Sequence, residues 1–524
     1  MSAINPTQFI KKIDKNTIAV FLLYFLVIAY LVINTGIISD DFDAMDRLSG
    51  KSFVETLIPT GKFYFIETPA QYYVNHIWYH FFRIDNQTAA NAFKIFYIFL
   101  SFYLISRFFS IFLNRQNALF VSFLFIFFPS HDSTTYWFMI QSMTLCFAFY
   151  LYAFYLAYRD KIIPAFLLAT LASFISYGSP VLAISLFILF ALYKKFKKGL
   201  VLLIPNIIYS AYYIFVSKFL AMGVDKTAMA KDSSVYSVVK QFALQVITFI
   251  DATVGPSMWV KIYYAFSQLS VLSIIIGILL TVVFYKKYRE GAGRYDRKLL
   301  FALLVLTCLS LGMFAVTGFY PQLAFNLGNR VTIFGSLLLA YLFVLMPMPH
   351  KLRTAAFALI IFTVLGISDH WKDWSLQQQR VARNIKNNQE FIKYETAEVI
   401  FVSGNQYSKY GPISHIEFLS EGYVVAPLVH LLFEGRINAT PITKRHVYQN
   451  GYLVDKRDDF KIEVRDSIIV YDSEKDEIFV LDAEEINLYI DSLPTENRHW
   501  IQVLDNKTLK GIIFRLMPRL RYGL

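Results

Sequence analysis

Residues 17–43 read TIAVFLLYFLVIAYLVINTGIISDDFD, an apolar run that ends in a cluster of acidic residues. The run from Thr17 to Ile38 is long enough to cross a bilayer, because a spanning helix needs about 20 apolar residues. It is too long for the apolar region of a signal peptide, and no small-residue cleavage site precedes Ser39. Since three lysines come before it, the run predicts an uncleaved anchor whose N-terminus is cytoplasmic.

The composition of the whole chain also indicates a membrane protein. Of the 524 residues, 56% are hydrophobic and only 17% are charged, and the mean hydropathy is +0.45. Soluble domains carry about 25% charged residues, so a single water-soluble globule is excluded. Cys146 and Cys308 both lie inside apolar runs, so neither a structural disulfide nor a thiolate metal site is expected.

Ten further apolar runs follow the first, which predicts about eleven transmembrane helices. They lie near residues 90–112, 118–130, 136–158, 162–177, 180–193, 199–220, 263–285, 299–317, 331–346 and 354–368. Three of them are short for a span. The pair within residues 162–193 is either two spans or a re-entrant hairpin, and both alternatives return the chain to the same side of the membrane.

The basic residues of the loops indicate which loops are cytoplasmic and which are external. The loops that we assign to the cytoplasm carry 18 Lys and Arg in about 48 residues, whereas the opposite loops carry nine in more than twice that length. Cytoplasmic loops are enriched in Lys and Arg. The sequence therefore predicts a multi-pass protein of the cell (inner or plasma) membrane, with a cytoplasmic N-terminus and an extracytoplasmic C-terminus.

The last third of the chain has the composition of a soluble domain. Residues 369–524 hold 20 basic and 23 acidic residues, so the basic excess of the chain lies in residues 1–368. That excess indicates topology, and nucleic acid is not expected as a partner. We expect a transmembrane domain over residues 1–368 and an extracytoplasmic α/β domain over residues 369–524. Its predicted strands are 398–403, 467–471 and 477–481, and its predicted helices are 374–394 and 413–435.

The acidic cluster Ser39-Asp40-Asp41-Phe42-Asp43 opens the first external loop, directly at the end of the first span. Carboxylates at a membrane face suffer desolvation and mutual repulsion, so such clusters often serve catalysis or bind a cation. The alternative is structural. Ser39 would then cap a short helix through Leu48, and the helix dipole would favour Asp40 and Asp41.

In its architecture and in this acidic motif the chain resembles the GT-C superfamily of integral-membrane glycosyltransferases, which includes protein O-mannosyltransferases and aminoarabinose transferases. Four features carry the resemblance: about eleven spans with the N-terminus inside, the acidic pair Asp40-Asp41 opening a long first external loop, short internal spans, and an external C-terminal domain. The resemblance implies a GT-C-like, all-α polytopic membrane domain with a C-terminal extracytoplasmic α/β domain.

It also implies a function. A GT-C enzyme of this kind moves a sugar from a polyprenyl-phosphate or polyprenyl-diphosphate donor to an acceptor hydroxyl on the external face of the membrane. The acceptor would be a glycan, a lipid or a protein, and membrane lipids would surround the enzyme. An Asp of the first external loop would act as the general base. We expect Asp41 in that role first and Asp40 second.

The remaining candidate residues would bind substrate. The donor carries phosphate, so cations are needed near the outer membrane face, and Arg330 and Lys261 are the candidates. The alternative for both is a snorkelling interfacial anchor. His131 and Asp132, in a second external turn, would orient the acceptor or the donor phosphate, or ligate a divalent cation, which is the one possible cofactor. The alternative for Asp132 is to cap the helix that follows.

Two other functions remain open from the sequence. A transporter or flippase of lipid-linked saccharides would lead one to expect internal repeats and ionisable residues at mid-span, whereas most charges here lie at span ends. An O-antigen polymerase or ligase would share the lipid-linked substrate. No phosphate-binding or dinucleotide-binding glycine motif is present, which favours a lipid-linked donor over a nucleotide sugar.

Overall fold

The computed structural model describes residues 15–58, 68–219, 234–288, 295–317, 321–394, 399–456, 461–464 and 466–516. Lys11 and Lys12, two of the three lysines on which the predicted side of the N-terminus depends, lie outside the described residues, as does Glu398.

Helices make up the first three quarters of the chain. In the bundle they are α1 (Lys15–Val32), α2 (Asp40–Leu48), α3 (Phe53–Thr56), α4 (Pro69–Val74), α5 (Thr88–Phe109), α6 (Arg115–Ile126), α7 (Ser133–Tyr136), α8 (Gln141–Tyr158), α9 (Ile162–Ile175), α10 (Ser179–Leu192), α11 (Phe196–Phe219), α12 (Val235–Thr253), α13 (Pro256–Ser267), α14 (Val271–Lys287), α15 (Arg297–Thr317), α16 (Ile333–Leu345) and α17 (His350–Asn387). Short 3-10 segments include His76–Phe81, Pro129–His131 and Leu327–Thr332.

The apolar runs of the sequence form the helices of a membrane bundle. Over the described residues, seven helical segments are long and apolar enough to cross a membrane. They are Thr88–Phe109, Phe138–Tyr158, Phe196–Val216, Val235–Ser267, Arg297–Val316, Leu327–Leu345 and His350–Asn387. Ile162–Ile175 and Ser179–Leu192 are apolar but shorter, as their sequence indicated, and so is Ile18–Val32, where the sequence predicted a longer span from Thr17 to Ile38. The chain is therefore a membrane protein, and its predicted class, a helical membrane domain followed by a C-terminal region with small sheets, is confirmed. Seven segments of spanning length, instead of about eleven, are found among the described residues.

One part of the predicted loop over residues 221–262 is helical. It contains α12 and the first half of α13, which break between Thr253 and Pro256. Charged residues such as Lys240 and Asp251 interrupt the apolar pattern there, so the sequence suggested a loop. The predicted run 263–285 is also divided, because the side chain of Ser270 accepts a hydrogen bond from the backbone of Ser273 and starts a new helix, α14.

The last helix of the bundle, α17, continues well beyond its apolar part. It runs for 38 residues without a break, so the chain passes residues 368 and 369 inside one helix. The predicted helix over residues 374–394 is its C-terminal half together with α18 (Gln389–Lys393). A single helix thus links the bundle to the C-terminal region.

The C-terminal region contains small sheets and three more helices. The elements are β1 (Ile400–Ser403), β2 (Tyr407–Tyr410), β3 (Ile413–Glu417), α19 (Gly422–Phe433), β4 (Ala439–Pro441), β5 (His446–Gln449), β6 (Tyr452–Asp455), β7 (Lys461–Glu463), β8 (Ser467–Asp472), β9 (Glu477–Asp482), α20 (Ala483–Ser492) and α21 (Lys507–Leu516). The main sheet has the order β4-β1-β8-β9, with β1 parallel to β4 and β8, and β9 antiparallel. The two other sheets are β2-β3 and β5-β6-β7.

The three predicted strands are confirmed, but the predicted helix over residues 413–435 is only partly correct. Its first five residues form β3, because they pair antiparallel with β2. The helix α19 begins only at Gly422. A neighbouring strand here decides the structure of a segment whose own pattern is ambiguous.

The C-terminal region packs against one end of the bundle. The contacts that join the two parts are α2 with α19, α13 with β2, and residues 327–332 with β3. One cluster of buried apolar residues extends from α1 to α19 and β1, and a second, smaller cluster lies within the sheets. Helix α2, helix α13 and residues 327–332 thus come together beneath the C-terminal region.

Candidate active site between the first loop and the C-terminal region

The acidic turn after α1 is in contact with the C-terminal region. Ser39 has a backbone φ of 51°, which is uncommon for a residue other than glycine, and it is buried. Its hydroxyl donates a hydrogen bond of 3.0 Å to Glu417 at the end of β3. The predicted helix through Leu48 is present as α2, but the Ser39 side chain does not cap it.

Asp40, unlike its neighbour Asp41, remains partly accessible. It is the first residue of α2 and is half-buried. Burial, and then the charge of Glu417, raise its pKa to about 7, while the charge of Arg330 acts in the opposite direction. A carboxyl group with a pKa near neutrality is able both to accept and to release a proton at physiological pH.

Asp41, by contrast, is almost completely buried, with 1% exposure. One carboxylate oxygen accepts from the backbone of Ile38 at 2.9 Å. The other accepts from the backbone of Met139 at 3.2 Å and from the hydroxyl of Tyr79. Burial raises the pKa of Asp41 to about 6, and the charge of Lys94 and these hydrogen bonds oppose the rise. This carboxylate joins three segments of the chain and points into the protein.

Lys94, in α5, is a buried cation that the sequence analysis did not single out. Its ammonium group donates to the carbonyl of Gly36 and, at 3.2 Å, to the hydroxyl of Thr35. Its charge also acts on Asp41. Lys94 thus stabilises the turn between α1 and α2 by donating hydrogen bonds to it. A lysine inside an otherwise apolar helix is the signal by which it could have been found.

Arg330 lies close enough to Asp40 for its charge to act on that carboxyl group. It belongs to the segment Leu327–Thr332, which contacts β3, and its guanidinium group is 5.5 Å from the centre of the Trp137 ring. The stacking holds the guanidinium group in place. Arg330 is half-buried, so the structure brings a partly accessible cation and a partly accessible acid to one place.

Asp132 and Lys261 form a buried ion pair with each other. Their side chains are 3% and 0% exposed, and the ammonium group is 2.8 Å from one carboxylate oxygen. Asn329 donates to the same oxygen, and the second oxygen accepts from Trp371 at 2.9 Å and from His415 at 2.9 Å. All of these donors come from different parts of the chain. The Asp132 side chain does not cap α7.

His131 is also buried, with 0% exposure. Its Nδ1 atom is 2.7 Å from the hydroxyl of Thr134 within the same turn. Of the six candidate residues, therefore, Asp40 and Arg330 come together at a partly accessible place. Asp41, His131, Asp132 and Lys261 lie in the interior next to it.

Glu417 and Tyr423 complete the surroundings of Asp40, and both were missed in the sequence. The Tyr423 hydroxyl donates to Glu417 at 3.3 Å. Arg498 approaches the other oxygen of Glu417 at 4.0 Å. These residues follow the acidic cluster at residues 39–43 by more than 370 positions, and no local pattern marks them.

The possible divalent cation has no evident protein site. Among the described residues, no three His, Cys, Asp or Glu side chains come together in a way that holds a metal ion. We therefore derive no chemical step through a metal ion.

No protein-family model and no curated protein matches the chain. Two solved structures do, and both are of the oligosaccharyltransferase of Archaeoglobus fulgidus, a GT-C superfamily enzyme. One is tethered to an acceptor peptide with an NVT sequon, with 12% identity, a TM-score of 0.37, and coverage of 82% of this chain and 64% of that one. The other is a complex with Zn and sulfate, with 12% identity, a TM-score of 0.35, and coverage of 80% and 62%. The chain thus spans less than two thirds of that enzyme, and at these scores no residue role or substrate is transferred from it.

Proposed function

We propose that the protein is a GT-C-type membrane glycosyltransferase that transfers a sugar from a polyprenyl-phosphate or polyprenyl-diphosphate donor to an acceptor hydroxyl outside the membrane. The observation that carries the proposal is that Asp40 and Arg330 lie close enough for the charge of Arg330 to act on the Asp40 carboxyl group. A partly accessible acid with a pKa of about 7 lies beside a partly accessible guanidinium group, at the end of a membrane bundle.

In the proposed reaction the Asp40 carboxylate removes the proton of the acceptor hydroxyl. The acceptor oxygen then forms a bond to the anomeric carbon of the sugar, and the bond between that carbon and the phosphate oxygen breaks. The phosphate of the carrier leaves with the electron pair. Arg330 binds this phosphate and stabilises its growing charge, since a guanidinium group pairs with two phosphate oxygens at once.

We assign the base to Asp40 and a positioning role to Asp41. A general base must reach the proton that it removes. Both oxygens of Asp41 already accept hydrogen bonds inside the protein, whereas Asp40 is half-buried and within reach of the charge of Arg330. The same argument gives Asp132, Lys261 and His131 a supporting role instead of direct substrate contact, because all three are buried.

The test is a turnover assay on the full chain in proteoliposomes, with radiolabelled polyprenyl-phosphate sugars as donors and an acceptor mixture outside. We expect Asp40→Asn to lower turnover by about 100-fold or more, because general-base catalysis contributes about 10²–10⁴. Glu463→Gln is the control, since Glu463 is an exposed acid on β7 and is not among the main charges that act on Asp40.

Full activity of Asp40→Asn would contradict the assignment of the base. The same assay separates a transferase from a flippase, because a flippase moves the donor across the bilayer without consuming it. Donor relocation with no consumption in the wild-type protein would therefore contradict the proposed function as a whole.

A further inference from the structure

A cleft with several cations at its rim lies beside α2, apart from Asp40 and Arg330. Its volume is about 330 Å³. It is bounded by the C-terminal end of α2, by residues 79–85, by α17 and by α19. Four cations line it, against one carboxylate, Asp85. The cations are Lys51, Arg83, Arg383 and Lys386, and we call this site the basic cleft.

The cations of the basic cleft are oriented by the protein. Gln379, Arg383 and Lys386 follow each other at helical spacing on α17, so one face of that helix supplies three lining residues. Arg83 donates to the carbonyls of His80 and Phe82 at 3.0 and 2.8 Å, and Arg383 donates to the carbonyl of Gln379 at 3.3 Å. A guanidinium group has five N–H donors. These bonds therefore hold both groups in place and leave donors for a ligand.

Charge pairing inside the protein does not account for three of these four cations. Within the described ranges, Arg83, Arg383 and Lys386 take part in no ion pair. Like charges around a shared cavity repel each other, and the arrangement is stabilised when an anion with several charges occupies it. The chemistry of the cleft fits phosphate or carboxylate groups repeated along a chain.

The position of the basic cleft distinguishes a polymer from a lipid headgroup. The apolar part of α17 ends near Ser368, and Arg383 lies about 22 Å farther along the helix axis at 1.5 Å per residue. The headgroup layer on one side of a bilayer is about 5–8 Å thick. Even with a helix tilt of about 40°, Arg383 lies beyond that layer. The phosphate of a lipid-linked donor stays at the membrane and does not reach it.

The cleft also lies close to the proposed catalytic site, because both border α2. Leu48 lines the cleft and lies about 12 Å along the helix from Asp40. Tyr79 lines it as well, and its hydroxyl donates to Asp41. A chain bound in the cleft is thus able to extend along α2 toward Asp40.

We propose that the basic cleft binds the acceptor, and that the acceptor is an anionic glycan or polyol chain with repeated phosphate or carboxylate groups. The acceptor role rests on the proposed function. The binding of a polyanion does not, because it is measured without a donor.

The first experiment measures binding by calorimetry to the full chain in phosphatidylcholine nanodiscs. The probes are poly(glycerol phosphate) and neutral dextran of similar length. We expect the anionic chain to bind, more weakly at higher salt because of screening, and the dextran not to bind. The double variant Arg383→Gln, Lys386→Gln should bind at least about tenfold more weakly, since it removes two charge-assisted contacts. Arg380→Gln is the matched control: Arg380 is exposed on the same helix, outside the cleft.

Three results would overturn the inference: equal binding of dextran, an equal loss in Arg380→Gln, or binding that appears only when the nanodiscs contain phosphatidylglycerol. The last result would assign the anion to a lipid headgroup. Lys51→Gln is a second variant, on a different segment, should the double variant fold poorly.

The second experiment separates failure of the inference from failure of the proposed function. Donor consumption is measured with poly(glycerol phosphate) or dextran as the acceptor. Consumption that depends on the anionic chain and falls in the double variant supports the acceptor role. Consumption that is unchanged in the double variant overturns that role while the transferase stands. If no acceptor supports consumption but cleft-dependent binding persists, the proposed function fails, and the acceptor role fails with it.

Discussion

At the scale of single residues, Asp40 and Asp41 illustrate how two neighbouring carboxylates acquire different properties. They are adjacent in sequence, yet one is half-buried beside Arg330 and the other is enclosed by three hydrogen-bond donors. Sequence reasoning ranked Asp41 first. The ranking depends on which way α2 turns each side chain, and the helix packing on α19 determines that direction.

The protonation of Asp40 leads to a prediction for the pH dependence of turnover. The base form is required, and the pKa of Asp40 is raised to about 7. As the pH falls below about 7, more of the carboxyl group is protonated, so kcat/KM should fall by about tenfold per pH unit. A pH profile between 5 and 9 measures this. A profile that stays flat down to pH 5 would contradict a role for Asp40 as the base.

Asp41 leads to a prediction for stability. In Asp41→Asn, an amide N–H group replaces one acceptor oxygen, and in either orientation it faces a backbone N–H donor, that of Ile38 or that of Met139. A buried donor without an acceptor costs about 1–3 kcal/mol. We expect a lower thermal unfolding temperature in detergent, with Asp43→Asn unchanged. Wild-type stability of Asp41→Asn would show that this carboxylate does not hold the loop.

At the scale of elements, the Asp132 ion pair joins the second external turn, α13, α17 and β3. The carboxylate accepts from Lys261, Asn329, Trp371 and His415, and nearly all of this network is buried. Because the donors come from elements far apart in sequence, the pair fixes how the bundle end and the C-terminal region meet.

The cost of breaking this pair is a testable quantity. Lys261→Met leaves the Asp132 charge buried without its main partner, which should lower the free energy of unfolding by about 3–5 kcal/mol. Adding Asp132→Asn to the Lys261→Met variant removes this unpaired negative charge. The double variant should therefore be less destabilised than the sum of the single variants. Strict additivity, measured by denaturant unfolding in micelles, would argue against a coupled pair.

At the scale of the whole molecule, the C-terminal region takes part in the environment of Asp40. Glu417 lies at the end of β3 and accepts from Ser39 at 3.0 Å, and its charge raises the pKa of Asp40. A residue of the C-terminal region therefore raises the pKa of an acid in the turn that follows α1.

Glu417→Gln tests this coupling. Removing the negative charge should lower the pKa of Asp40, so the acid limb of the kcat/KM profile should move to lower pH. Glu463→Gln, an exposed residue on β7, is the control. An unchanged midpoint in Glu417→Gln, with activity retained, would mean that the C-terminal region does not act on Asp40.

Several features of this protein could be derived from its sequence. Long apolar runs identify membrane helices, because a spanning segment must satisfy its own backbone hydrogen bonds and present apolar side chains to lipid. The three strands of the C-terminal region that were predicted, β1, β8 and β9, also carry a local pattern of apolar and β-branched residues. The sequence did not predict α12, because its charged residues interrupt the apolar pattern. The domain boundary at residue 368 stays a prediction, since α17 passes it without a break.

The composition of the candidate site, in contrast, was decided only by the tertiary structure. Arg330, Glu417 and Asp40 are separated by about 90 to 380 positions, and the sequence around each of them does not indicate that the other two lie nearby. Whether Asp132 and Lys261 face a substrate or each other depends on how α13 packs against the second external turn. Periodicity reports which residues are apolar and at what spacing. Which polar side chains meet, and which of them water still reaches, follows from packing between distant elements.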